Sequence, residues 1–385
     1  MNMLKRIVIV VLVFVFVNQV KGQTGTDGRD ENALNPIRSA VPFLTISPDS
    51  KSGALGDAGV ATAPDLSSQH WNASKYVFMK ERSGVALSYT PWLRSLQVND
   101  LNLLYLSGYT NVDRKQAVSG SIRYFNLGEI NEVLEDGTPT YKKIRPNEYA
   151  LDIGYSRKFS EYFSGGLVFR YIRSDIANGT SGLGTGSNQA RYEPGNSFAA
   201  DITTYYQRDI KLQGYDGEMA YGLNISNIGN KMAYSQDKES QFIPTNMRIG
   251  GRLSIDLDSY NSISATMDIN KMLVPTPSDS VDLQTIGVIE GIFQSFGDAP
   301  GGAKEELNEI MWSIGTEYWY MNQFAIRAGY FHEHASKGNR KYFTAGVGLM
   351  LNVFSLDFSY LFPATGGRSN PLANTMRFTL GFTFE

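Results

Sequence analysis

Side chains able to do nucleophilic, metal or proton-transfer chemistry are few in this 385-residue chain, which has three histidines, His70, His332 and His334, and no cysteine. Without cysteine there is no thiolate nucleophile, no thiolate metal site and no disulfide framework. His332-Glu333-His334 has the donor types of a metal site, but it falls in a short loop with no third ligand evident, so it reads as a solvated loop. No Ser-His-Asp set can be assembled, because every histidine falls outside the predicted strands. Gly182-Leu183-Gly184-Thr185-Gly186 lacks the preceding strand and following helix of a phosphate cradle and reads as a loop. The expectation is a protein that is not an enzyme, with no catalytic, cofactor or metal site. A net charge of −3 offers no basic excess for nucleic acid.

The informative polar residues are instead charges set into alternating segments. At the C-terminus Met376, Phe378, Leu380, Phe382 and Phe384 share one parity while Arg377, Thr379, Gly381 and Thr383 share the other. This period of two is a strand signal that no helix produces. Ile310, Trp312, Ile314, Thr316, Tyr318 and Tyr320 repeat it against Met311, Ser313, Gly315, Glu317 and Trp319. The same test predicts strands near 84–92, 101–109, 117–126, 147–157, 164–173, 196–207, 217–227, 244–257, 261–273, 309–320, 323–331, 341–352, 355–362 and 375–384. That is fourteen, an even number, as single-chain bacterial barrels require. The segment 101–109 alternates poorly, since Leu103, Leu104 and Leu106 occupy both parities.

Arg123, Asp152, Arg170, Asp201, Arg248, Arg252, Asp256, Asp268, Glu317, Arg327, Asp357 and Arg377 mostly fall opposite the apolar parity. Facing lipid near the midplane, each Arg would cost about 2–4 kcal/mol. These charges therefore line a lumen and pair there. A soluble sandwich is the rival all-β reading, but aromatic placement weighs against it. Trp312 and Tyr320 share the apolar face about 26 Å apart at roughly 3.3 Å per residue, or about 20 Å in depth at barrel tilt, which suits two aromatic girdles. The fold class expected is an all-β transmembrane antiparallel barrel of fourteen strands.

Upstream of the strands, Lys5 and Arg6 precede an apolar run from Ile7 to Val17, then Val20-Lys21-Gly22. This is the order of a secretory signal, and the run is too short to span a bilayer. The expected division is 1–22 signal peptide, 23–82 N-terminal periplasmic and plug segment, and 83–385 outer-membrane barrel. Connections 110–116, 158–163, 208–216, 258–260, 321–322 and 353–354 are short, and those on the other side are long. This alternation orients such barrels with short turns in the periplasm; it places both termini there.

Two segments stand outside the wall. Gly53-Ala54-Leu55-Gly56-Asp57-Ala58-Gly59-Val60-Ala61, within 35–79, is a small-residue run able to pack inside a barrel. It is expected to plug or cover the lumen, with Asp57 bonded to lumen arginines; Arg248, Arg252, Glu317 and Arg327 are its candidate lumen companions. The long loop 274–308 carries Ile286, Val288, Ile289, Ile292, Phe293 and Phe296, an amphipathic helix ending near Gly297 and Pro300. Loops of this length are usually functional. Ile286, Ile289, Phe293 and Phe296 are candidate partner-binding residues.

Gly56-Asp57-Ala58, then Asp65 to Trp71-Asn72-Ala73, resemble the FadL-like outer-membrane barrels, whose comparable segment ends Asn-Pro-Ala; here Ala73 stands for that proline. Asn35-Pro36-Ile37-Arg38, Phe43-Leu44-Thr45-Ile46-Ser47-Pro48-Asp49, Gly53 to Ala61 and Tyr89-Thr90-Pro91-Trp92-Leu93-Arg94 resemble the PorV (LptO) family of the type IX secretion system. The resemblance implies a shuttle that meets a large translocon barrel. It receives secreted proteins by their C-terminal signal domains and delivers them to a sortase-like attachment complex, in contact with outer-membrane lipid. The alternative is a FadL-like transporter of hydrophobic small molecules, which predicts an apolar pocket inside the barrel. A lipid-modifying hydrolase would need a histidine within reach of a serine at the rim.

Overall fold

The computed structural model describes residues 34–94, 100–133, 139–176, 181–183, 190–191, 193–234, 240–278, 281–364, 372 and 374–385. The proposed signal, 1–22, lies outside them. Fourteen antiparallel strands close on themselves in chain order. They are β1 (Ser83–Pro91), β2 (Leu101–Asp113), β3 (Gln116–Leu127), β4 (Asn147–Lys158), β5 (Phe163–Asp175), β6 (Gly195–Leu212) and β7 (Tyr215–Gly229). Then follow β8 (Asn246–Asp256), β9 (Asn261–Met272), β10 (Met311–Tyr320), β11 (Phe324–His332), β12 (Lys341–Leu351), β13 (Phe354–Pro363) and β14 (Met376–Phe384).

The barrel is closed by β14, whose Phe384, Phe382, Leu380 and Phe378 stand opposite Ser83, Val85, Leu87 and Tyr89 of β1. Outward positions such as Leu87, Ile122, Ile153, Phe169, Ile249 and Ile326 are exposed, while Arg123, Asp152, Arg170, Asp201, Asp268, Glu317, Arg327 and Arg377 are buried. Polarity is thus inverted relative to a soluble protein, with the apolar face outside, as a lipid-facing wall demands. Asp256, at the last position of β8, is exposed at the barrel end.

Strands six and seven run further than expected. Residues 208–212 and 215–216 are paired, leaving a two-residue turn at Gln213 (φ 51°) and Gly214 (φ 93°), and Lys211 meets Asp216 at 3.3 Å across it. Two positive φ angles in succession give the turn twist that joins adjacent strands tightly. The long connections, expected to be irregular, hold two short hairpins, Ile130–Val133 with Pro139–Ile144 and Ser181–Leu183 with Ala190–Arg191. Gly182 and Leu183 belong to the second; Gly184 to Gly186 lie outside the described residues.

The mixed parity of β2 has a physical cause. Leu104 and Leu106 face outward, but Leu103 turns in against Phe43, Leu44 and Phe125. An inward leucine is paired with something apolar inside the lumen, and that is the N-terminal segment. Residues 34–82 run the length of the barrel. Asn35 and Ala40 bond to Ser336 and Phe242 at the long-loop mouth, and the chain leaves at the other end into Ser83. Residue 34, the first described, therefore stands at the opposite mouth from Glu385.

A filled lumen beneath an apolar loop

Inside the barrel the N-terminal segment folds as helical turns, Pro42–Thr45, α1 (Ser50–Ala54), α2 (Ser68–Trp71) and Ala73–Phe78. The small residues are needed for contact with the wall. Gly56 has φ 71°, and a side chain there would meet the backbone of Tyr330 at 2.6 Å; across from it, a side chain at Gly329 would strike Gly56 N at 2.2 Å. Two glycines facing each other let plug backbone touch wall backbone.

Each end of this packing is tied by hydrogen bonds. Asp49 accepts from Ser52 N, capping α1, and from Trp71 Nε1 at 2.6 Å. Asp268 of β9 accepts from Gly59 N and Val60 N at 2.7 and 3.0 Å. Asn72 donates to Val60 O and to Thr204 O on the wall, and Asn224 donates to Trp71 O. Lys51 pairs with Asp65 at 3.0 Å, and the fully buried Lys75 donates to Gly59 O and Thr62 Oγ1.

The lumen residues singled out from sequence fall as follows. Asp57 accepts from the Tyr342 hydroxyl and faces Arg377 at 3.5 Å. Arg248 stacks over the Trp71 ring at 4.5 Å and donates to Asn270. Arg252 pairs with Glu218. Arg327 bridges Glu317 and Asp357 at 2.5 and 2.6 Å, as Arg170 bridges Asp152 and Asp201 at 2.7 and 3.0 Å. Glu218 was missed as a partner because its meeting with Arg252 depends on the register between β7 and β8, which sets Ala220 opposite Arg252.

At the long-loop mouth the connection from β9 to β10 is pinned over the plug. Lys271 reaches Glu306 and Glu309, Lys337 reaches Glu305 and Glu309, and Asn35 donates to Glu305 at 2.9 Å. Two helices stand on it, α3 (Val288–Gln294) and α4 (Ala303–Asn308). Gly291 lets α3 lie flat, since a side chain there would meet Phe242 at 2.9 Å and Pro275 at 3.0 Å. Ile289, Phe293, Phe296 and Leu307 are 60, 73, 47 and 68% exposed. Ile286, expected beside them in the helix, precedes it and is buried against Phe242 and Val274, so it anchors the loop instead of offering a contact. Between loop and plug lies a cavity of about 500 Å³ bordered by Arg38, Glu309, Glu333, Lys337 and Arg340. No sequence signal marks it, because loops far apart in the chain enclose it.

His332-Glu333-His334 is not brought to one point. His332 stacks on Trp312, Glu333 binds Arg340 and His334 binds Ser336. Among the described residues no group of three His, Asp or Glu side chains is placed to hold a metal.

A family described as "Type IX secretion system protein PorV" matches residues 29–279. The chain belongs to the PorV family. As a PorV-family barrel it is an outer-membrane protein of type IX secretion, a family of secretion barrels and not of enzymes. No curated protein matches the chain. Among solved structures it is similar to a TodX mutant described as a monoaromatic hydrocarbon channel, with TM-score 0.50 and 12% identity over 86% of this chain and 96% of that one. It is likewise similar to the Pseudomonas putida toluene transporter TodX, with TM-score 0.50 and 11% identity over 88% and 98%. A Pseudomonas aeruginosa FadL homologue follows at TM-score 0.43 and 10% identity, over 88% and 99%. At such identities the likeness shows the fold alone, a closed β-barrel.

Proposed function

We propose that this PorV-family barrel is a shuttle of type IX secretion. It binds secreted proteins by their C-terminal signal domain at the large translocon barrel and carries them to the sortase-like attachment complex. The observation that carries this reading is the exposed apolar row Ile289, Phe293, Phe296 and Leu307, held by ion pairs over a lumen occupied by the chain's own N-terminal segment. Exposed apolar side chains on a pinned platform suit protein docking. The filled lumen leaves such work to the loops. The FadL-like alternative calls for an apolar pocket within the barrel, whereas the mouth cavity mixes Ile37, Met272 and Met311 with Arg38, Glu333, Lys337 and Arg340.

The long-loop end faces outward in this proposal and Glu385 faces the periplasm. Because the chain has no cysteine, one introduced thiol reports the orientation. Gly297→Cys, where a side chain meets nothing within 4 Å, should react with an impermeant maleimide on intact cells, and Lys115→Cys should not. The function is tested by affinity purification of the detergent-solubilised protein. A very large barrel, and surface proteins sharing a C-terminal domain, should co-purify. Ile289→Asp with Phe293→Asp should lower their recovery at least five-fold while the barrel stays heat-modifiable on gels. Unchanged recovery would remove the loop from the docking surface, and a bound fatty acid without protein partners would favour the transporter.

A further inference from the structure

At the long-loop rim the outward face of the wall carries a charge that a barrel in hydrocarbon should not leave bare. Trp312, His332 and Lys341 are register partners across β10, β11 and β12, at the long-loop ends of these strands. Their parity is that of the outward Ile314, Ile326 and Phe343. The next row down is Ile314, Tyr330, Phe343 and Phe362, and below it the face is apolar as far as Tyr320, Phe324, Leu349 and Leu356. Lys341 and His332 thus crown the apolar band directly above an aromatic row.

These two side chains are positioned and lack a counter-ion. Trp312 stacks on the His332 ring at 5.1 Å and 14°, and the Tyr330 hydroxyl lies 3.2 Å from His332 Nδ1. The ring is held on the outward face by these two contacts, and Nε2 has no hydrogen-bond partner among the described residues. The adjacent carboxylate, Glu333, is buried and taken by Arg340 at 2.8 Å. Lys341 forms no ion pair among the described residues. A lone lysine could reach past the band to water. A lysine beside a clamped histidine on an aromatic shelf makes a two-donor anion site at headgroup depth.

The pattern recurs on another arc of the wall. Tyr149, Arg173 and Asn196 are partners across β4, β5 and β6, just above Leu151, Tyr171 and Phe198. Tyr171 packs against Phe198 at 5.3 Å and Tyr149 at 6.2 Å, and its hydroxyl and Arg173 Nη1 both donate to Asn196 Oδ1. Arg173 too has no carboxylate partner among the described residues.

We infer that these are two stations for phosphate groups of an anionic outer-leaflet glycolipid, one built from Lys341 and His332 on the Trp312–Tyr330 shelf, the other from Arg173 on the Tyr149–Tyr171 shelf. The inference rests on the long-loop end being extracellular, which the Gly297→Cys labelling decides separately. The full chain is reconstituted in discs of zwitterionic phospholipid containing labelled lipid A, either bisphosphorylated or enzymatically dephosphorylated, and label retained by the purified protein is measured. Wild type should retain the phosphorylated form at least five-fold over the dephosphorylated one. His332→Gln/Lys341→Gln/Arg173→Gln, on the wall surface and away from plug and loop, should remove that preference and still run as a heat-modifiable barrel. Lys341→Arg should keep it. Equal retention of the two lipids by wild type, or an undiminished preference in the triple variant, overturns the inference. Partner capture by the triple variant is measured alongside; its loss or survival bears on the shuttle reading alone.

Discussion

Arg170 shows how little slack the lumen chemistry leaves. Its guanidinium serves Asp152 and Asp201 together and also meets Asn227. Removing one partner of a buried ion pair strands the charges left behind, at a cost of about 3–5 kcal/mol. Arg170→Met should therefore lower barrel stability by that order, read as the urea midpoint in lipid vesicles; a loss below about 1 kcal/mol would show the carboxylates to be hydrated. Much of this was legible in the sequence. A charge on the wrong parity for lipid can only point inward, so the facing of Arg123, Arg170 and Arg327 followed from spacing. Their partners did not, because pairing depends on register between strands, as in Arg252 with Glu218.

The element that most needs a condition-dependent test is the β9–β10 connection. Asp298 sits behind α3 with one oxygen accepting from Thr276 N at 3.1 Å. Burial raises its carboxyl to about 7; Glu306 and Glu309 push the same way, against the Thr276 N–H and Lys271. The folded loop thus holds this proton more tightly than an unfolded one. Its contribution is complete below about pH 3.8 and is lost as pH rises through 7. Amide exchange over 286–297 should accelerate between pH 5 and 8 beyond the intrinsic rate, and Asp298→Asn should flatten the difference; equal protection factors at both values in the wild type would sink the idea. For this element the sequence located the apolar stripe but not its seat. Ile286 and Phe293 share a helical face on paper, yet the helix begins only after its N-cap at Gly287, and the buried Phe242 that claims Ile286 lies more than forty residues upstream. The strands were read more closely because alternation marks every residue of a wall, whereas a seven-residue helix offers two turns of evidence.

At the scale of the whole molecule, a barrel of fourteen strands would enclose a water-filled passage if nothing occupied it. Here residues 34–82 thread it from mouth to mouth, and their backbone touches the wall at Gly56 and Gly329. The wall's closure was countable from period-two segments. The path of the plug was not, since a run of glycine and alanine carries no periodicity and can seat against many surfaces. The consequence concerns transport. Fixed by Asp268 on Gly59 and Val60, by Asn72 on Thr204 and by Asn224 on Trp71, the plug has no hinge that leaves these bonds intact. Purified protein in a planar bilayer should give no porin-like conductance steps at moderate voltage. Asp268→Ala with Asn224→Ala, which unties the plug without touching the Arg170 or Arg327 clusters, should produce intermittent openings while the barrel remains heat-modifiable. Steady conductance in the wild type would mean that the lumen is a route, and the functional reading would pass from the loops back to a channel.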